Sequence, residues 1–426
     1  MQQGRKPRLF YGWYVVWGMI VVGATAMALA GPTYGLFIEP MREDLGWGRA
    51  LFGWTQTGHL LAAAVGGLFI GRLIDRYGAK VLLAVAGGIA AILLGSLSFF
   101  HPEWWFITAY VVTGLVGIHG PASIYGAPVV AKWFVRQRAR ALGILSMGAP
   151  FGLLVAFPAV QWVILEFGWK TGWLTLGIIG LSVIVPVSLL VFKRQPEDIG
   201  LMPDGDTPRE SGASGASRDP EARQWTRAEA IRTPAFWRVT LAYSMFTFCT
   251  TSMVIFRFPY FIGEGMDPSL MALAAGTAQI LTLVGAVTMG RQVAFVGVER
   301  LLALNMLFML TCFILTLNVA NTLMMFVALY IWAFAINSLG ALQGIVYAAY
   351  FGRQHAGAVR SVALLTTMLF AATAGPVTGY VADNTGGYEG VWWPCVGLLA
   401  VSALLLLTSR PPLHITVPVA GSSTQA

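Results

Sequence analysis

The chain has 426 residues, of which 57% are hydrophobic and only 11% charged, and its mean hydropathy is +0.69. A soluble domain carries roughly 25% charged residues, so this composition excludes a water-soluble enzyme, a secreted disulfide scaffold and a disordered chain. Twelve membrane-spanning helices of about 20 residues each would take about 240 positions, close to the apolar share of the chain.

In chain order, apolar runs separated by short polar turns fall at 14–38, 48–70, 81–100, 104–131, 141–165 and 170–192. After a polar gap at 193–235, six more follow at 236–262, 269–290, 301–319, 321–350, 361–382 and 391–408. The pattern predicts an all-α polytopic membrane protein with twelve transmembrane helices. It divides into an N-terminal six-helix bundle (1–192), a cytoplasmic linker loop (193–235), a C-terminal six-helix bundle (236–410) and a cytoplasmic tail (411–426). The 104–131 and 321–350 runs exceed one apolar span, and tilt or extension into the cytoplasm would absorb the excess. The gap contains Asp204-Gly205-Asp206 and a Ser/Gly/Ala stretch at 211–217, the composition of a flexible linker. Trp225 and Arg227–Ile231 suit a short helix on the membrane surface.

The net charge of +8 is explained by topology. With the N-terminus inside, 23 of the 27 Lys and Arg residues fall on the cytoplasmic side, and only Arg42, Arg49 and Lys170 fall outside. The excess of basic residues in cytoplasmic loops then places both termini in the cytoplasm, and no nucleic-acid partner is needed to explain the charge. A bacterial inner membrane is the expected location. The remaining basic residue, Arg257, lies within a span. Cys249, Cys312 and Cys395 sit in apolar runs without metal-ligand spacing, so no cofactor is expected.

An internal repeat supports the division into halves. Gly71-Arg72-Leu73-Ile74-Asp75-Arg76-Tyr77-Gly78-Ala79-Lys80 follows the second run, and Gly290–Glu299 follows the eighth, 219 positions on. Trp133-Phe134-Val135-Arg136 and Tyr350-Phe351-Gly352-Arg353 lie 217 positions apart. Repeated bundles place a substrate site between the halves, near mid-membrane.

The 71–80 segment resembles the signature loop of the major facilitator superfamily, with Gly71, Leu73, Asp75, Arg76, Gly78 and Lys80 matching its pattern. Further features are similar to the oxalate/formate antiporter-like and monocarboxylate transporter-like branch. They include Tyr11-Gly12-Trp13, Gly35–Pro40, Asp44-Leu45-Gly46-Trp47, Pro196–Leu201, and Gly375-Pro376 with Gly379, Asp383 and Gly386-Gly387-Tyr388. Trp133-Phe134 with Arg138, Ala141, Gly143, Gly148 and Gly152 also fit. The resemblance implies the major facilitator fold and transport of a small organic anion, a monocarboxylate. The basic residues expected on helices 8 and 11 of the oxalate exchangers are absent, as are the helix 1 Lys and helix 8 Asp/Arg pair of the animal monocarboxylate type.

Arg257 is the first candidate for substrate contact, because an intramembrane guanidinium costs roughly 2.5–3.5 kcal/mol at the centre of a helix on insertion scales and usually faces a cavity or a partner. Arg also suits carboxylate recognition. The alternative is that it snorkels to the outer interface. His119, within Gly117-Ile118-His119-Gly120-Pro121, and His59 could exchange a proton near neutral pH, or could simply bond to neighbouring helices. Tyr34, Tyr125, Tyr260, Gln279, Asn337, Gln343 and Tyr347 could complete the cavity, with interhelical hydrogen bonds as the plain alternative. Asn337 and Gln343 are six apart and do not share a helical stripe. Gly71, Asp75, Arg76, Gly78, Lys80, Arg138 and Arg140 fit an inner gate between helix ends. No Asp or Glu lies mid-span, so a proton would have to travel on a histidine, Glu39 or the substrate itself.

The sequence therefore reads as a monomeric secondary transporter moving a small organic anion across the lipid bilayer, by proton symport or anion exchange. Export of hydrophobic drugs by the same fold and a non-transporting membrane sensor are the rival readings. No nucleophile–base pair or phosphate loop points to an enzyme.

Overall fold

The computed structural model describes residues 10–117, 125–193, 195–202, 204, 227–351 and 356–409. The helices in chain order are α1 (Tyr11–Ala30), α2 (Tyr34–Leu45), α3 (Arg49–Tyr77), α4 (Ala79–Ser96), α5 (Glu103–Leu115), α6 (Gly126–Trp133), α7 (Arg138–Ser146) and α8 (Gly148–Val191). They continue with α9 (Arg227–Ile231), α10 (Pro234–Gly263), α11 (Pro268–Val296), α12 (Val298–Leu317), α13 (Thr322–Phe351), α14 (Ala356–Thr385) and α15 (Glu389–Leu407).

Counting passages across the bundle gives twelve spans, because some spans are broken and one helix folds back. The first consists of α1 and α2, interrupted at Gly31-Pro32-Thr33. Thr33 is fully buried there, and its hydroxyl donates to the Ala28 carbonyl at 2.7 Å, satisfying one group freed by the break. The fourth span is α5 and α6. The 104–131 run thus absorbs its length by an interruption rather than by tilt alone, whereas α13 runs unbroken through the other long run. α8 turns back on itself at Gly168, whose φ of +81° and ψ of +163° end one helix and start the next, so it supplies the fifth and sixth spans. The short helix expected at Arg227–Ile231 is present, and Trp225 lies outside the described residues.

Three pairs of left-handed glycines make the internal repeat visible in the backbone. Gly46 and Gly265, with φ of +71° and +75°, join the first and second spans of each half, 219 positions apart. Gly78 and Gly297, at +78° and +87°, join the second and third, again 219 apart. Gly168 and Gly386, both at +81°, join the fifth and sixth, 218 apart. A residue with a Cβ is strained at such φ, so each pair marks the same sharp turn used twice.

Packing follows the halves. α1, α4 and α8 pack together and α3 packs on α5, while α10 packs on α14 and α15 and α12 on α13 and α15. Aromatic stacks fix the far part of the first half: Phe37 lies on Trp173 with centroids 3.8 Å apart, and Tyr34 meets Tyr110 at 4.8 Å. Side chains such as Leu68, Leu190 and Leu323 are more than 70% exposed on the outer faces, as hydrocarbon contact requires.

The halves meet along three pairs: α3 with α14, α8 with α11, and α2 with α10. The close backbone approaches that define these seams lie toward the end opposite the chain termini. A Cβ on Gly53 would fall on the Gly375 carbonyl, one on Gly379 would come within 2.7 Å of Ala50, and one on Gly35 within 2.8 Å of the Phe258 ring. Glycine is needed at these crossings because the backbones touch. No comparable approach joins the halves at the terminal end among the described residues, so the molecule is sealed at its far end.

Candidate functional site

Just on the terminal side of the far seal lies a cavity of about 340 Å³, bounded by α3, α10, α13 and α14. Among the described residues it carries no charged side chain. Its polar groups are Gln56 and Thr57 from the first half and Thr247, Thr250, Thr251 and Thr367 from the second.

The hydrogen bonding of these hydroxyls decides what the cavity offers. Thr57 donates to the Ala372 carbonyl at 2.5 Å, Thr247 to Tyr243 at 2.8 Å, Thr250 to Phe246 at 3.0 Å and Thr367 to Ala363 at 2.8 Å. With their protons committed to backbone carbonyls, these oxygens have only lone pairs left to present. The Oε1 atom of Gln56 is buried without a hydrogen-bond partner. These four threonine oxygens are thus acceptors within a mainly apolar lining, while the Gln56 amide nitrogen and the Thr251 hydroxyl can donate.

Arg257 is not among the residues that line this cavity and lies on α10 beyond them. It follows Thr250 and Val254 on one stripe of α10, and Trp332 beneath it is one turn from the lining residue Ile336. The guanidinium does not snorkel to the interface; the residue is 3% exposed. Its carbon lies 4.9 Å from the centroid of Phe258, 5.4 Å from that of Trp332 and 5.7 Å from that of Phe157, which belongs to the other half. Its Nε has no hydrogen-bond partner, and no acidic residue pairs with it among the described residues. A buried cation held only by ring faces retains its capacity for a carboxylate.

The other sequence candidates are dispersed. The Nδ1 of His59 is 3.0 Å from the Tyr110 carbonyl and 3.4 Å from the Thr113 hydroxyl, so its ring points into the first half, and it is absent from the cavity lining. Tyr34 donates to the Phe52 carbonyl at 2.9 Å within the same core. Tyr125 donates to the Val116 carbonyl at 2.7 Å and borders a separate, apolar recess between α3, α4 and α5. Tyr260 packs on Trp392 at 4.9 Å, away from the cavity. Gln279 bonds back to Ala275 of its own helix, and Tyr347 pairs with Thr240 at 3.1 Å. His119 and the side chains of Asn337 and Gln343 lie outside the described residues.

Of the gate candidates, Gly78 adopts the positive φ of the α3–α4 turn, and Arg76, Arg138 and Arg140 are exposed at the terminal end, with Lys80 half-buried there. Arg140 lies over Trp13 at 5.6 Å and Arg76 over its neighbour Tyr77 at 5.3 Å. Gly71 lies within α3, and the side chain of Asp75 lies outside the described set. One contact at this end went unanticipated: Asp204 accepts from the backbone N–H groups of Val135, Arg136 and Gln137 at 2.9, 2.6 and 3.1 Å, docking the linker on the turn before α7.

Two repeated bundles, sealed at one end beside a mainly apolar recess that carries a few threonines and a glutamine, define a membrane transporter rather than an enzyme. The sequence profile of the Major Facilitator Superfamily matches residues 16–359, and the chain belongs to that family. It is 23% identical to a probable galactarate/D-glucarate transporter of Bacillus subtilis over 92% of this chain and 90% of that one. It is 22% identical to monocarboxylate transporter 12 of Rattus norvegicus over 93% and 85% of the two chains. Among solved structures, a bacterial homologue of the lysosomal transporter Spinster, in an inward-facing and occupied conformation, superposes with a TM-score of 0.71 at 17% identity, covering 95% of this chain and 97% of that one. The expected superfamily and twelve-helix fold are therefore borne out. The relatives are transporters of organic anions, and they include carriers of sugar acids as well as of monocarboxylates.

Proposed function

We propose that the chain is a secondary transporter that moves a small hydroxylated monocarboxylate, such as a hexuronate or an aldonate, by alternating access between its halves. The observation that carries this reading is the division of labour between the cavity threonines and Arg257. Threonine oxygens that act as acceptors suit the hydroxyl protons of a polyol, and Arg257, buried on the same helix beyond Thr250 and Val254 without a carboxylate partner among the described residues, suits one carboxylate. An unsubstituted alkyl carboxylate would leave those acceptors without donors, at a cost of about 1 kcal/mol or more for each group. Relatives whose names specify hexuronate and L-galactonate agree with this preference.

The distribution of basic residues assigns the terminal end to the cytoplasm, so a conformation sealed at the far end would be the inward-facing one. Counterflow in proteoliposomes tests the function. Exchange of labelled D-glucuronate or D-galactonate should exceed that of butyrate by at least ten-fold. Equal flux of butyrate, or no flux of any acid, would overturn the reading.

A further inference from the structure

The structural repeat exposes an asymmetry in how the helices at the far end begin. In the second half, α11 starts after Asp267, whose own carboxylate accepts from the N–H groups of Ser269 and Leu270 at 2.8 and 3.0 Å. The position 219 residues earlier, at the start of α3, is Gly48, which has no side chain to offer. The N-terminus of α3 is nevertheless capped. Asp383, on α14 of the opposite half, accepts from Arg49 N through Oδ1 and from Ala50 N through Oδ2, both at 2.9 Å.

We infer that Asp383 is a positioning residue for transport, a cap supplied across the halves that holds the far end shut and must be released each time that end opens. Four further observations fit. Asp383 lies in the last turn of α14, where the helix dipole disfavours an acid, so its own helix gains nothing from it. A Cβ on Gly48 would lie 3.0 Å from the Asp383 carboxylate, so the missing side chain makes room for the distant one. The capped turn begins the tightest seam between the halves, continued by Ala50 against Gly379, Gly53 against Gly375 and the Thr57 bond to Ala372. The guanidinium of Arg49 lies 5.5 Å from the Tyr388 ring of the same opposite half, adding a second contact that opening would break. Because α3 carries no cap of its own, leaving the closed state exposes its first N–H groups. A locally capped helix such as α11 pays no such penalty.

The test uses the full chain in nanodiscs, with spin labels at Phe167→Cys and Glu264→Cys, exposed positions in the far turns of the two halves. Distance distributions by double electron–electron resonance report the populations without requiring a known substrate. Loss of a cap is worth about 1 kcal/mol, or about a five-fold change in a two-state ratio. Asp383→Asn should therefore raise the long-distance, far-open population about five-fold, and Asp383→Glu should restore part of the closed one. Gly48→Ser, which gives α3 a cap of its own, should also favour the far-open state, by a route that leaves Asp383 in place. Thermal melts confirm that each variant is folded. Closed populations equal to wild type in both Asp383→Asn and Gly48→Ser would overturn the inference, whatever happens to the melting temperature. Because no solute is involved, this result is independent of the proposed substrate.

Discussion

Replacing Arg257 with Met separates a functional cation from a structural one. The guanidinium is 3% exposed, has no carboxylate partner among the described residues, and lies 4.9–5.7 Å from three ring centroids. Holding an Arg within the membrane costs about 2.5–3.5 kcal/mol on insertion scales. Three cation–π contacts near the 6 Å limit return about 0.5–1 kcal/mol each, or about 1.5–3 kcal/mol together. The two terms nearly cancel, so the empty site gains little from the charge. Methionine is flexible enough to fill the aromatic box, and its substitution should leave the melting temperature within about 3 °C of wild type. Carboxylate binding should fall by one to two orders of magnitude, because a charge-assisted hydrogen bond contributes about 1.5–3 kcal/mol. Thermal unfolding followed by tryptophan fluorescence and D-glucuronate uptake in proteoliposomes measure both quantities. A large loss of thermal stability with uptake retained would refute the reasoning and make Arg257 a strut of the fold.

Thr367→Val removes one cavity acceptor while keeping side-chain shape, and should weaken D-glucuronate affinity about five-fold, one neutral hydrogen bond, with butyrate unaffected; equilibrium binding of both acids measures it. His59→Leu breaks the bond to the Tyr110 carbonyl and should cost about 1–3 kcal/mol of stability, lowering the melting temperature while leaving the KM for uptake unchanged. A raised KM would instead bring the histidine into the transport path. Asp204→Ala should free three backbone N–H groups before α7 at a cost of about 1 kcal/mol, visible as faster hydrogen exchange at residues 135–137.

Hydropathy made the spans legible because a bilayer demands long apolar stretches, and the repeated loop at 71–80 and 290–299 made the two halves legible. The break at Gly31-Pro32-Thr33 lies inside an apolar run, where mean hydropathy is blind to a backbone interruption. Arg257 stood out because charge within a span is rare. The threonines did not, since their polarity is modest and each bonds readily to its own helix. What makes them a group is the packing of α14 against both α3 and α10, which no local pattern encodes. Tyr34, Tyr125, Tyr347 and His59 attracted notice as polar groups, yet the fold uses each to satisfy a neighbouring carbonyl or hydroxyl. Asp383 was visible as part of a motif, but its partner backbone is 334 positions away.

The placement of Arg257 also has an electrical consequence. A cavity filled with water from the terminal end carries that side's potential inward, so the membrane voltage falls mainly across the sealed far part of the protein. Arg257 lies within that part, among Phe157, Phe258 and Trp332. When access alternates, its charge is transferred from one side's potential toward the other, a step worth up to about 2.3 kcal/mol for each 100 mV. On the proposed function, a monocarboxylate bound at Arg257 would neutralise the moving charge, so the loaded carrier would reorient almost independently of voltage and the empty one would not. The empty carrier's return is then the step through which the membrane potential sets the direction of net flux.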